Sequence, residues 1–99
     1  MRKNYTFEAK VWLWPGETGS WHFISLPKEE SALWREKHKG IHRGWNSLKV
    51  TVTLGKTSWD TSIFFDTKSS RYLLPIKKKV RKAEDVLEGD LVKIRLVLI

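Results

Sequence analysis

The sequence predicts a mostly β single domain over residues 1–99, a small closed barrel of six or seven strands capped by two short helices. Three observations predict it. Apolar and polar residues alternate over several short stretches, the period-two signature of strands with one buried face. Pro27 and Pro75 each follow such a stretch and open a charged helical one. The order of elements also repeats. Trp12 to Trp14, a turn, a strand, Pro27 and a helix are matched by Ile63 to Phe65, a turn, a strand, Pro75 and a helix. Duplicated halves at about 5–45 and 48–99 would close into one barrel, and closure removes exposed sheet edges.

The first strand runs from Tyr5 to Trp14. Tyr5, Phe7, Ala9, Val11 and Leu13 share its buried face, which leaves Trp12 and Trp14 on the otherwise polar one. That second face is either covered by another layer or an exposed binding surface. Residues 15–20 (PGETGS) have the composition of a turn, and Trp21 to Leu26 completes a hairpin. The first helix starts after Pro27, with Glu29 and Glu30 at the positive end of its dipole. Leu33, Trp34 and Lys37 are placed on one helical face, and Gly40 is the stop. Leu48 to Leu54 and Ser58 to Phe65 are the third and fourth strands, joined at Gly55-Lys56-Thr57. Asp66 to Ser70 is a turn and Tyr72 to Leu74 the fifth strand. A basic helix over Lys77 to Val86, a turn at Glu88-Gly89-Asp90 and a closing strand from Leu91 to Ile99 follow. In that last strand Val92, Ile94, Leu96 and Leu98 share the apolar face.

Composition narrows the function classes. No apolar run approaches the roughly 20 residues a membrane span needs. The first residues, MRKNY, carry no leader-like apolar region, so a cytoplasmic, bacterial-style domain is expected. With no cysteine, disulfides, thiol catalysis and cysteine-ligated metals are excluded. The net charge of +8 is concentrated: residues 67–82 hold seven basic and no acidic side chains. Such a run attracts polyanions or steers a smaller anion, unless it is only a solvated helix face. The six tryptophans are scattered, and most are expected to anchor the core.

Motifs for chemistry are thin. Gly55-Lys56-Thr57 looks like the end of a phosphate-binding loop, but Val50 stands where that motif needs glycine, and a strand follows. His38 and His42 have metal-ligand spacing, yet Gly40 lies between them and no third ligand is near. His22, Asp60 and Ser62 are triad residue types without a nucleophile elbow. Glu88 and Asp90 belong to a turn.

Two resemblances add to this reading. Residues 74–82 (LPIKKKVRK) followed by 87–92 (LEGDLV) resemble half of an AbrB/MazE-like swapped-hairpin barrel, a fold of DNA-binding antitoxins and transition-state regulators. Over most of the chain, Arg43-Gly44-Trp45, residues 50–55 (VTVTLG), Trp59-Asp60-Thr61-Ser62, Tyr72-Leu73-Leu74-Pro75, Lys77, Val80-Arg81-Lys82 and Gly89-Asp90 resemble a bacterial family, domain of unknown function 1905. That resemblance implies a double-split β-barrel capped by helices. Phe65 stands where a proline is expected in the family. Other members are joined to a YdeI/OmdA-like domain, which these residues do not include.

The expected function is a non-catalytic binding module for an anionic ligand, without cofactor or metal. Its candidate site joins Trp45, Trp59, Thr61 and Ser62 to Lys77 and Arg81, because aromatic faces, hydroxyls and two cations four apart suit a partly planar anion. The competing reading makes both tryptophans core residues. A second expectation is nucleic-acid binding through Lys77, Lys78, Lys79, Arg81 and Lys82, extended by Lys68 and Arg71. A third is a small hydrolytic enzyme using Ser62, Asp60 and His22. Closure within one chain predicts a monomer.

Overall fold

The computed structural model describes residues 4–14, 21–38 and 47–99. Its strands are β1 (Asn4–Lys10), β2 (Trp12–Trp14), β3 (Trp21–Ser25), β4 (Ser47–Leu54), β5 (Thr57–Asp66), β6 (Arg71–Pro75) and β7 (Leu91–Leu98). Helix α1 (Lys28–His38) follows β3, and helix α2 (Lys78–Glu84) follows β6. All seven strands form one antiparallel sheet in the order β1-β7-β4-β5-β6-β3-β2.

The sheet is an open half-barrel, not the closed barrel expected. The cause lies at Val11, where the single first strand becomes two. Val11 donates its N–H to the carbonyl of Asp90 at 3.0 Å and accepts the N–H of Gly89 at 2.8 Å. These bonds go to a turn rather than to a strand. The ladder with β7 therefore ends at Lys10, and a ladder with β3 begins at Trp12. One continuous segment supplies both outer strands, while its two partners, β7 and β3, do not pair with each other.

Register then sorts the side chains into two faces. On the inner face Phe7 stands opposite Ile94, Leu48 opposite Ile63, and Val52 between Leu96 and Trp59. With Ile24, Leu74 and Val50 these residues form the core. The alternation read in the first and last strands holds: Phe7 and Val11 are buried, as are Ile94 and Leu96.

Both helices pack on the inner face. The Trp34 ring is fully buried, 5.8 Å from Tyr5, and its indole N–H donates to Glu30 Oε2 at 2.8 Å. Ser31, also fully buried, accepts the backbone N–H of Tyr72 at 3.1 Å. The Arg35 guanidinium lies 3.9 Å from the centre of the Phe65 ring, which meets Tyr72 edge-on. Leu33, expected beside Trp34, is exposed instead. One residue along a helix rotates about 100°, and Ser31 and Trp34 already define the buried stripe.

Helix α2 buries Val80 in the core, as Ile76 and Val86 on either side of the helix are buried, and ends at Asp85, which adopts a left-handed φ of 54°. Its Glu84 carboxylate accepts the Thr57 hydroxyl at 2.6 Å and the Lys56 N–H at 3.3 Å. Gly55 opens this β4–β5 turn at φ +61°, and a Cβ there would run into the same carboxylate. The phosphate-loop look-alike is thus a hairpin turn already occupied by an anion.

Two outcomes follow from this packing. Ser31→Ala leaves the Tyr72 N–H without the acceptor that Ser31 provides, and urea denaturation is expected to show a loss of about 1–3 kcal/mol. Burial also pushes the Tyr72 phenol up to about 12, against the pull of Arg35. An unfolded phenol ionises near pH 10, so this contribution is complete below about 10 and is lost as pH rises through about 12. Burial and the Glu30 carboxylate raise Tyr5 as well. Tyr72→Phe is therefore expected to reduce, without abolishing, the fall in stability between about pH 10 and 12. Parallel curves for the two proteins would contradict the assignment.

Candidate binding face

Because the core and both helices occupy the inner side, the outer face of the sheet keeps what its alternating residues put there. Over β1, β7 and β4 it is polar, with Thr51 donating to Asp60 at 2.8 Å and Thr53 within 2.8 Å of Ser58. Over β2, β3, β6 and the end of β5 it is aromatic. Trp14 pairs with Trp21, Trp12 with Phe23, Phe23 with Pro75, and Leu73 with Phe64. The Phe23 ring centre lies 5.3 Å from Trp12, 6.0 Å from Trp14 and 6.4 Å from Trp21, whose plane is only 14° from its own.

This cluster is open to solvent: Trp21 is 62% exposed, Trp14 43% and Phe64 39%. Of the described tryptophans only Trp34 is fully buried, which corrects the expectation that most anchor the core. A one-sided core has no place for the indoles on the other side. Trp14, Trp21, Phe23, Phe64 and Leu73 line an apolar groove of about 380 Å³.

Trp21 is shared with a second cavity, of about 300 Å³, lined also by His22, Pro75, Ile76, Lys77, Lys78 and Arg81. Arg81 is held in place there. Its Nε donates to the Ile76 carbonyl at 3.1 Å, and its Nη1 lies 3.5 Å from His22 Nε2. Among the described residues three cations, Lys77, Lys78 and Arg81, and no carboxylate line this cavity. A larger cavity at the other end of β6 contains Arg71, Lys10 and Lys28, but also Glu8 and Glu29, which offset most of that charge.

The residues singled out in the sequence are therefore distributed. Lys77 and Arg81 meet at the cationic cavity, together with Lys78. Trp59 packs against the core from the inner face, and Thr61 shares that face, opposite Val50. Ser62 points to the outer face, opposite Lys49. Trp45 lies outside the described residues. Lys79 and Lys82 are exposed on α2 and Lys68 in the turn after β5. Arg71 lies roughly 17 Å along the chain from Ile76, so the basic run of the sequence is divided in space. His22, Asp60 and Ser62 are not brought together: β6 separates their strands, and Asp60 already accepts the Thr51 hydroxyl. His38 Nδ1 is 2.9 Å from the Trp34 carbonyl, and His42 lies outside the described residues. Asp90 accepts the Leu87 N–H at 2.9 Å, which builds the turn holding Val11.

Sequence reasoning missed Trp21 and Phe64 as surface residues. Phe64 follows buried Ile63, so alternation alone placed it outward. The signal was present and pointed to a strand with one apolar residue on each face.

Among the described residues the half-barrel thus has a filled inner face, an exposed aromatic outer face and three cations in the cavity at its edge. The chain belongs to the family described as domain of unknown function (DUF1905), whose model matches residues 7–96. The likeness of residues 74–92 to AbrB/MazE-like barrels is not confirmed by that match. No curated protein matches the chain. Among the described residues no helix is long and apolar enough to cross a membrane.

If the outer aromatics are surface equipment rather than structure, their removal costs little. Trp21→Ala is expected to change unfolding stability by about 0.5 kcal/mol or less, whereas Trp34→Ala costs about 3–5 kcal/mol. Chemical denaturation of the two variants gives both numbers. Similar losses would show that Trp21 holds the sheet together.

Proposed function

We propose that this protein is a non-catalytic binding module for a ligand that joins an anionic group to a flat apolar one. The observation that carries the reading is the position of Trp21. Its indole forms one wall of the apolar groove and one wall of the cavity containing Lys77, Lys78 and Arg81. A planar group laid on Trp14 and Trp21 gains dispersion and releases water from two exposed rings. An anion attached to it reaches a cavity whose guanidinium is already oriented by the Ile76 carbonyl, which limits the ordering cost of binding.

This site keeps Lys77 and Arg81 of the expected set and replaces Trp59, Thr61 and Ser62 with Trp14, Trp21 and Phe23. The exchange follows from the sheet. Residues adjacent in β5 face opposite sides, so Thr61 and Ser62 do not serve one ligand on one face. A hydrolytic reading loses support because β6 lies between the strand of His22 and that of Asp60 and Ser62, and Asp60 already accepts the Thr51 hydroxyl.

The test uses 1-naphthyl phosphate, with 1-naphthol and inorganic phosphate as its two halves, followed by tryptophan fluorescence. Saturable quenching is expected from the aryl phosphate at concentrations where neither half has an effect. Trp21→Ala and the double change Lys77→Gln with Lys78→Gln are each expected to weaken it about tenfold. Inorganic phosphate binding as tightly as the aryl phosphate would show that the groove takes no part.

A further inference from the structure

We infer that the natural ligand of this face is single-stranded nucleic acid, its bases stacked on the outer aromatics and a backbone phosphate held by Lys77, Lys78 and Arg81. The inference rests on the binding site proposed above and names the ligand class.

The geometry favours an extended ligand over a small one. The aromatic surface crosses β2, β3, β6 and β5, three interstrand spacings and so roughly 14 Å. One planar group cannot cover that width, and consecutive bases of a flexible strand can. Trp14 and Trp21 are cross-strand partners, both beside Phe23, and offer stacking faces on adjacent strands. Stacking on indoles is available to every base, so such a surface tolerates sequence.

The charge favours a polyanion. Net charge is +8, and among the described residues the cavity that shares Trp21 with the groove is walled by Lys77, Lys78 and Arg81 and by no acid. The cavity near Arg71, where Glu8 and Glu29 offset most of the positive charge, offers no comparable phosphate site. The strand is thus anchored at the α2 side of the groove. A duplex fits poorly, because its bases are already stacked on one another and present only edges to a sheet. The aromatic rings require unpaired bases.

The experiment is a fluorescence-anisotropy titration of a labelled ten-residue oligothymidylate, competed by its duplex with oligoadenylate and by thymidine monophosphate. The single strand is expected to bind at least tenfold more tightly than either competitor. With three cations engaged, raising salt from about 50 to about 200 mM should weaken it about twentyfold. Lys77→Gln should flatten that dependence, and Trp21→Ala should weaken binding about tenfold at every salt concentration. Circular dichroism on each variant confirms that the fold is retained.

The failures are distinguishable. Naphthyl phosphate binding, with an oligonucleotide no tighter than thymidine monophosphate, overturns this inference and leaves the binding site standing. Equal affinity for single strand and duplex, insensitive to Trp21→Ala, reduces the effect to general polyanion attraction and overturns it too. Binding of neither ligand removes both. Sedimentation at twice 11.7 kDa, reversed to monomer by Trp21→Ala, would make the face a surface for a second copy and overturn the inference.

Discussion

The pair of backbone hydrogen bonds between Val11 and the turn at Gly89 and Asp90 is the constraint on which the rest of the molecule depends. A seven-stranded sheet of short strands has two edges to manage. Here both are made from one segment, which changes partner at a single residue because its amide and carbonyl are taken by a turn. Gly89 makes that turn possible at φ +89°, and the Asp90 side chain fastens it through the Leu87 amide. The sheet is thereby curved without being closed, and β2 is delivered to β3 with Trp12 and Trp14 pointing outward.

Everything functional follows from that sidedness. Curvature creates an inner volume that one helix fills with Trp34 and the other with Val80, each helix tied to a strand by a side-chain bond, Ser31 to Tyr72 and Glu84 to Thr57. Among the described residues no third layer covers the outer face. A chain of 99 residues that leaves Trp14, Trp21 and Phe64 in water forgoes burial it could use, since fully burying a large apolar side chain contributes about 1.5–3 kcal/mol. That cost, beside a cavity walled by Lys77, Lys78 and Arg81, is the physical ground of the proposed binding site. Exposed aromatics that were scattered singly would carry no such weight.

Much of the fold was legible. Alternation located the strand-forming stretches to within a residue or two, with β1 and β2 read as one, because one buried face imposes a strict period of two. Pro27 and Pro75 marked the two helix starts. What the sequence could not show was the break at Val11. The pattern of the first strand runs unbroken through Leu13, and the cause of the split lies almost eighty positions later, in a turn. The site was half legible. Lys77 is the N-cap of α2 and Arg81 lies within it, four positions on, so spacing alone suggested the pair. Trp21 joins them only through pairing of β3 with β6, a contact between residues about fifty positions apart that no local pattern encodes. The inward face of Trp59 was not legible, because aromatic content says nothing about which face a strand residue takes until its partners are known.

The most direct measurement of the central claim is a proton–nitrogen correlation spectrum of the indole groups, recorded while 1-naphthyl phosphate is added. The account predicts that the Trp14 and Trp21 signals move together and saturate, with the Arg81 Nε signal following them, while that of buried Trp34 stays fixed. Movement of Trp59 with Trp14 and Trp21 unmoved would contradict it and put the ligand on the inner side of the sheet.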